Sequence, residues 1–230
     1  MDCFRIKRVI VRYGNNEVAD NISDFLYLKG RNIYELNLSK EARYIQESYP
    51  SYKKVRLIRF PPDLLIIDFI KRKPLAFIKS TRFFLIDESS TLFECLKTTE
   101  ELNLPQIIGL ERKVFAAKYG TKLYIPEVVL ALDIIKKTKS NRQLKDYKIK
   151  RVDVSTLSNA SIFVLVPNGL LDYTKGQSPD MGDDLEVRIG QEDIDNKIKI
   201  LATLFNQARN DLGNIKYIDL RFKEPVIKFK

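Results

Sequence analysis

The chain has 230 residues, of which 44% are hydrophobic and 30% charged, and this composition excludes an intrinsically disordered protein. Its length allows one large domain or two small ones, at about 100–200 residues per domain. The absence of histidine excludes histidine-dependent catalysis and most zinc sites. We find no signal peptide and no apolar run near the roughly 20 residues that a membrane-spanning helix needs.

The net charge of +10 is concentrated in the first two thirds of the chain. Residues 1–72 have 14 basic and 9 acidic side chains, and residues 73–150 have 15 and 9. Residues 151–230 have 11 and 12, so the last third is close to neutral. A positive field of this kind suits nucleic acid, anionic lipid or an acidic protein, and it also occurs on ordinary lysine-rich soluble surfaces. Charge alone therefore does not select a partner.

The first 72 residues are predicted to form a strand, two helices and two further strands. Strands are indicated by runs of apolar and β-branched residues, and helices by apolar residues three and four positions apart. Gly30 and Pro50 are expected to end the two helices, and Ser39 to cap the second. Asp20 or Asn21 is expected to cap the first. The predicted strands are 4–13, 53–60 and 64–72, and the predicted helices are 22–29 and 39–49.

Residues 73–230 are predicted to form a mixed, β-rich domain with two longer helices. Pro126 suits the first turn of a helix that reaches Thr138. The clearest helical pattern runs from Ile194 to Leu212, and Gly213 is expected to end it. The predicted strands are 76–78, 83–86, 91–95, 149–154, 162–166, 185–189 and 216–222, followed by an apolar run at 226–229. Strands and helices in this arrangement indicate an α+β fold.

The predicted strand at 216–222 is the feature most relevant to an interaction. Its side chains alternate, with Ile218, Leu220 and Phe222 on one face. At a sheet edge, its unpaired N–H and C=O groups could bind a strand of another protein. The alternative is an ordinary final strand whose edge is protected by Lys223 and Pro225.

The sequence offers little catalytic or metal-binding chemistry. Cys3 and Cys95 lack the spacing of metal ligands; we expect both to be unpaired, with Cys95 in the core, although a disulfide between them stays open. Asp180, Asp183 and Asp184 lie in a glycine-containing loop without the spacing of a calcium site. Neither a phosphate-binding loop nor a dinucleotide-binding glycine motif occurs. We therefore predict no catalytic residue, no metal and no cofactor.

Four segments, in an order that spans residues 4–229, resemble the extracytoplasmic region of the FtsQ/DivIB family of bacterial cell-division proteins. Each motif is short, and their order and spacing along the chain make the resemblance specific. The matching segments are 6–14 with 29–34, 49–50 with 55–62, 71–76 with 85–87 and 92–93, and 187–190 with Lys197 and 217–222. The chain departs from the family pattern at Leu57, where a small residue is usual, and at Lys71, where an acidic one is usual.

The resemblance implies a non-enzymatic scaffold of the division machinery. It implies a POTRA domain of β-α-α-β-β order at residues 4–72, then a β-domain at residues 73–230 with a C-terminal helix and edge strand. Family members have a single span in the inner (plasma) membrane, absent from this chain, and place this region on the periplasmic or extracytoplasmic side at the septum.

The resemblance also implies the partners and the surface that binds them. FtsB (DivIC) and FtsL are the expected partners, with other division proteins on the POTRA domain and no nucleic acid. The partner is expected to add a strand at the C-terminal edge, which couples assembly of the division complex to septal peptidoglycan synthesis. The implied contact residues are Tyr217, Leu220, Arg221, Phe222, Lys223, Glu224, Pro225, Val226, Ile227 and Phe229.

Two other interpretations belong to different functional classes. A POTRA-containing export or outer-membrane assembly component, acting as a substrate chaperone, is the first alternative. Such proteins repeat POTRA units, whereas this sequence indicates one unit followed by a β-rich segment. A basic nucleic-acid-binding domain is the second, and it predicts affinity that falls steeply with salt.

Overall fold

The computed structural model describes residues 4–14, 17–19, 23–94, 103–166, 184–209 and 211–230. The chain divides into two compact units, Met1–Lys73 and Pro74–Lys230, and its fold is α+β as the sequence predicts. Several residues with predicted roles lie outside the described residues: Cys3, Asp20, Asn21, Cys95, Asp180 and Asp183. The expectations for the two cysteines and for the first helix cap therefore stay predictions.

The first unit is a four-stranded sheet with helices packed on one face. The elements are β1 (Arg8–Tyr13), β2 (Glu17–Ala19), a 3-10 helix (Ser23–Leu28), α1 (Leu38–Ser48), β3 (Tyr52–Phe60) and β4 (Leu64–Lys71). The strands lie in the order β2-β1-β4-β3, where β1 is parallel to β4 and the other neighbours are antiparallel. The predicted order of strand, two helices and two strands is found, with one additional short strand, β2.

Local sequence explains most of this unit, and the structure corrects two of the predictions made for it. The first predicted helix is a 3-10 helix, followed by Gly30 at φ +80°, a conformation that favours glycine. The cap of α1 is Asn37, whose side-chain oxygen accepts a hydrogen bond from the Lys40 N–H at 3.0 Å. Ser39 therefore lies inside the helix, since the chain enters it two residues before that position.

The second unit is a nine-stranded sheet with two helices on one face. The strands are β5 (Pro74–Lys79), β6 (Phe83–Asp87), β7 (Leu92–Glu94), β8 (Gln106–Ile108), β9 (Lys148–Asp153), β10 (Ser161–Leu165), β11 (Asp184–Arg188), β12 (Ile215–Asp219) and β13 (Val226–Phe229), and the helices are α2 (Pro126–Ser140) and α3 (Ile194–Gln207). The strand order is β13-β12-β11-β10-β9-β8-β5-β6-β7. One large apolar core joins the helices to alternate residues of the strands. The opposite face of the sheet is called the open face below.

Two predicted elements end earlier than the sequence pattern indicates. Helix α3 ends at Gln207, and Leu212 lies in a separate 3-10 turn, where it is still buried. Gly213 lies within that turn and does not end α3. The predicted strand 216–222 ends at Asp219, because the Asp219 carboxylate accepts a hydrogen bond from the Arg221 N–H at 3.1 Å and so closes a turn.

Candidate functional site

The C-terminal residues form a hairpin in which β13 is the outermost strand. β13 is antiparallel to β12, with Val226 opposite Asp219 and Ile227 opposite Ile218. β12 is also parallel to β11, so it has a neighbour on each side. The strand that the sequence predicts as the edge is therefore interior, and the edge belongs to β13. The difference arises because the chain reverses direction between Asp219 and Val226 and pairs with β12 on its outer side.

The outer side of β13 is unpaired in the part of the chain that the structure describes. An exposed strand edge leaves N–H and C=O groups that an additional strand can bind. Exposed apolar side chains accompany it: Phe222 is 62% exposed, Val226 45% and Phe229 57%. We call these three residues the edge patch. The loop residues Lys223, Glu224 and Pro225 are also exposed.

Side chains of β13 alternate between the two faces of the sheet. Val226 and Lys228 are opposite Asp219 and Tyr217, so they lie on the open face. Ile227 is opposite buried Ile218, on the helix-covered face, where it packs against the core. An incoming strand would therefore meet side chains on both faces.

The buried carboxylate of Asp219 fixes the conformation of the chain just before Phe222, the first residue of the edge patch. Asp219 is only 3% exposed and accepts hydrogen bonds from Arg221 Nε at 2.9 Å and Nη2 at 2.6 Å. Arg221 Nη1 donates to Asn159 Oδ1 as well. Hydrogen bonds and charge from Arg221, with a further contribution from Arg188, hold the pKa of Asp219 below its ordinary value. Arg221 is thus fixed in place by Asp219.

Strand β11 stabilises the chain around Asp219 from the side of β12 that is opposite β13. Arg188 donates from Nε and Nη2 to Glu186 at 3.0 and 3.1 Å, and its guanidinium carbon lies 4.2 Å from the Tyr217 ring centroid. The hydrogen bonds to Glu186 raise the pKa of Arg188. Leu220 N–H donates to the Arg188 carbonyl at 2.8 Å. Contacts between β11 and the residues of β12 and its end therefore stabilise the base of the hairpin.

The close packing extends to Gly190. Its φ of +70° favours glycine, and a Cβ there would lie 3.1 Å from the Ser158 carbonyl oxygen and 3.4 Å from Arg221 Cγ. This glycine belongs to the 187–190 motif of the sequence, so the motif has a structural role beside Asp219 and Arg221, which we call the clamp.

The predicted contact residues divide into an exposed group and a supporting group. Leu220 is 2% exposed and lies in the core, which makes it a support of the edge and not part of its surface. Tyr217, Arg221 and Ile227 are partly buried. The exposed members are Phe222, Lys223, Glu224, Pro225, Val226 and Phe229.

Sequence reasoning does not identify the supporting roles of Asp219, Arg188 and Asn159, or the exposed Lys228. The spacing of Asp219 and Arg221 was the available signal, because an aspartate two residues before an arginine can bond its backbone and its guanidinium. No local signal marks Asn159, which lies 62 positions from Arg221 in sequence.

Within the described ranges, no three histidine, cysteine, aspartate or glutamate side chains are grouped so that they could hold a metal ion. No helix in those ranges is both long and apolar enough to cross a membrane.

Comparison with known proteins identifies the family. A family model described as "Cell division protein FtsQ/DivIB, C-terminal" matches residues 76–221, which include the Asp219 clamp and end before β13. Proteins named "Cell division protein FtsQ" are similar over most of the chain. The protein from Syntrophotalea carbinolica is 24% identical over 230 residues, covering 98% of this chain and 74% of its own length. That from Geotalea daltonii is 21% identical over 226 residues, covering 97% and 75%. The match to residues 76–221 is more than half of the chain, and the chain therefore belongs to the FtsQ/DivIB family of cell-division proteins.

Proposed function

We propose that this protein is a non-enzymatic scaffold of the division machinery that binds a partner by strand addition at the outer edge of β13. The supporting observation is an unpaired strand edge, among the described residues, bordered by exposed apolar side chains. The expected partners are FtsB (DivIC) and FtsL, through their extracytoplasmic regions. In this role the full-length protein is anchored in the plasma membrane and acts outside the cytoplasm at the septum.

Backbone pairing along β13 is expected to supply only part of the free energy of partner binding. β13 has four residues, and each added backbone hydrogen bond contributes only about 0.5–1.5 kcal/mol net. Burying one exposed phenylalanine contributes about 1.5–3 kcal/mol. Phe222 and Phe229 are therefore expected to contribute as much as the strand pairing does.

The clamp described above adds preorganisation. Asp219 fixes Arg221, and Arg221 directly precedes Phe222 in the chain. A surface that is already ordered loses less conformational entropy on binding than a free tail would. The polar network at the base of the hairpin thus supports binding without requiring direct contact with the partner.

Calorimetric titration with the extracytoplasmic FtsB–FtsL pair tests the proposal. We expect the Phe222→Ala, Phe229→Ala double variant to bind at least roughly tenfold more weakly, since two apolar anchors are lost. The matched control is Phe115→Ala, because Phe115 is 65% exposed in the same unit but lies outside the edge.

Three results would contradict the proposal. Equal binding by the double variant and the wild type would place the site elsewhere. Equal weakening by Phe115→Ala would indicate a nonspecific apolar contact. If the wild type binds an unfolded polypeptide and not the FtsB–FtsL pair, the export-chaperone interpretation is favoured.

A further inference from the structure

The sheet of the first unit has an apolar patch on the face away from its helices. Pairing places Phe60 opposite Leu64, and Ile58 opposite Ile66, which in turn is opposite Ile10. These side chains point away from the core that the helices cover, because their neighbours along each strand belong to that core. We call Ile10, Ile58, Phe60, Leu64 and Ile66 the outer patch.

The outer patch is unusual for a sheet face without a helical layer, which commonly has polar side chains. Phe60 is 59% exposed and Ile58 41%. Leu64 and Ile66 are 8% and 7% exposed, so they form the floor beside the two accessible side chains. The face therefore presents a shallow apolar strip, accessible mainly along β3.

Cationic side chains border this strip. The next row along the strands places Asp68 opposite both Arg12 and Arg56, and Lys54 follows on β3. Arg56 bonds Asp68 at 2.9 Å, yet its side chain is 51% exposed. Arg12, Arg56 and Lys54 supply three positive charges in these rows and Asp68 one negative charge, so positive charge is in excess beside the patch.

We propose that the outer patch binds an amphipathic protein segment whose acidic side chains flank its apolar stripe. Three strands about 4.8 Å apart give the strip a width of roughly 10 Å. Apolar residues at positions i, i+4 and i+7 of a helix span about the same length at ~1.5 Å per residue. Carboxylates beside that stripe would then lie over Arg12 and Lys54.

The charge pattern favours a protein segment over an anionic lipid surface. Asp68 lies between two arginines in the cationic row, so the positive charge occurs at discrete points. A segment with spaced carboxylates can avoid Asp68, whereas a uniformly anionic surface cannot. The low exposure of Leu64 and Ile66 also leaves few side chains able to insert among lipid chains. This surface is separate from the β13 edge and its proposed partner.

Fluorescence anisotropy with the whole chain tests the proposal. The probe is a synthetic helical peptide of about 18 residues with leucines at i, i+4, i+7 and i+11 and flanking glutamates. We expect it to bind the wild type at low salt and to bind the Arg12→Glu, Lys54→Glu variant roughly tenfold more weakly. Phe60→Ser is expected to weaken binding by a similar factor, because it removes the most exposed apolar side chain of the patch.

The controls distinguish this site from general electrostatic attraction. Arg43→Glu reverses an exposed charge on α1, on the helical side of the unit, and should leave binding unchanged. A peptide with lysines in place of the glutamates should not bind. Circular dichroism confirms that each variant is folded.

The proposal is overturned by any of three results. The acidic peptide fails to bind the wild type, or Arg43→Glu weakens binding as much as the Arg12 and Lys54 reversals do. In the third result, vesicles of phosphatidylglycerol and phosphatidylcholine bind the wild type but not the Arg12→Glu, Lys54→Glu or Phe60→Ser variants, whereas the peptide does not bind the wild type. The Phe222→Ala, Phe229→Ala variant should bind the peptide normally, which separates this result from failure at the β13 edge.

Discussion

The two edges of the nine-stranded sheet differ in how their backbone groups are used. At β7, Leu92 N–H donates to the Thr121 carbonyl at 2.8 Å, and the Leu92 carbonyl accepts from Gly120 at 2.7 Å. The Leu123 N–H also donates to the Ser90 carbonyl at 2.9 Å. A segment of the same chain therefore covers this edge. At β13, no described segment does so.

Side-chain exposure follows the same division. Leu92 and Phe93 on β7 are 0% and 5% exposed, whereas Val226 and Phe229 on β13 are 45% and 57% exposed. Open apolar edges favour aggregation, and proteins commonly cover or charge them. The contrast between one covered and one open edge in a single sheet supports the proposal that β13 binds a partner.

The largest effect is expected from the clamp below the open edge. Asp219→Asn removes the charge that Arg221 and Arg188 share, and it should lower the free energy of unfolding by about 2–3 kcal/mol at neutral pH. Urea denaturation measures this change. Partner binding should weaken as well, because Arg221 is released next to Phe222.

The pH dependence gives the clamp a separate test. The folded-state pKa of Asp219 lies below its ordinary value of 3.8, so the stability it adds is fully present above that pH. This stability is lost as the pH falls through the folded-state pKa. The difference in the free energy of unfolding between wild type and Asp219→Asn should therefore narrow at low pH. Asp146→Asn, at an exposed position, is the control and should change stability by less than about 0.5 kcal/mol. A constant difference between wild type and Asp219→Asn from pH 7 to 2 would contradict the assigned role.

A smaller effect is expected from uncovering the β7 edge. Leu123→Pro removes the N–H that bonds Ser90, at a cost of about 1–3 kcal/mol, and it should produce self-association through the freed strand. Sedimentation velocity measures the association. Leu123→Ala keeps the N–H and should remain monomeric; association of both variants would instead implicate the lost side chain.

The smallest change in stability is expected at the open edge itself. Val226→Lys adds a charge to an exposed edge position, which hinders strand addition but should alter unfolding by no more than about 0.5 kcal/mol. Binding to the FtsB–FtsL pair should fall by roughly tenfold in calorimetry. Normal binding by this variant would argue against pairing along β13.

The core is more predictable from the sequence than the site. Alternation in β3 and the apolar spacing of α3 directly predict which side chains are buried, and Leu212 is buried even though its helix ends early. The same alternation misplaces Asp219, since a polar residue opposite the core side is expected to contact solvent. Its charge is compensated mainly by Arg221, two positions away, and also by Arg188 in the neighbouring strand, and the sequence contains no signal for the second pairing.

The position of β12 was unpredictable for a similar reason. The pattern at residues 216–222 is that of a strand, but only the return of the chain after Pro225 decides whether this strand is interior or terminal. The turn at Asp219 likewise depends on its bond to the Arg221 N–H, which competes with continued pairing.

The pairing distances of the C-terminal hairpin have a consequence for how the β13 edge forms. Ile218 and Ile227 pair across 9 positions, whereas Glu186 and Tyr217 pair across 31 with α3 between them. Closing the shorter loop costs less chain entropy, so we expect the hairpin to form first and then dock onto β11 as one piece. The partner would then meet an edge assembled locally, whose orientation is set by a contact between distant parts of the chain.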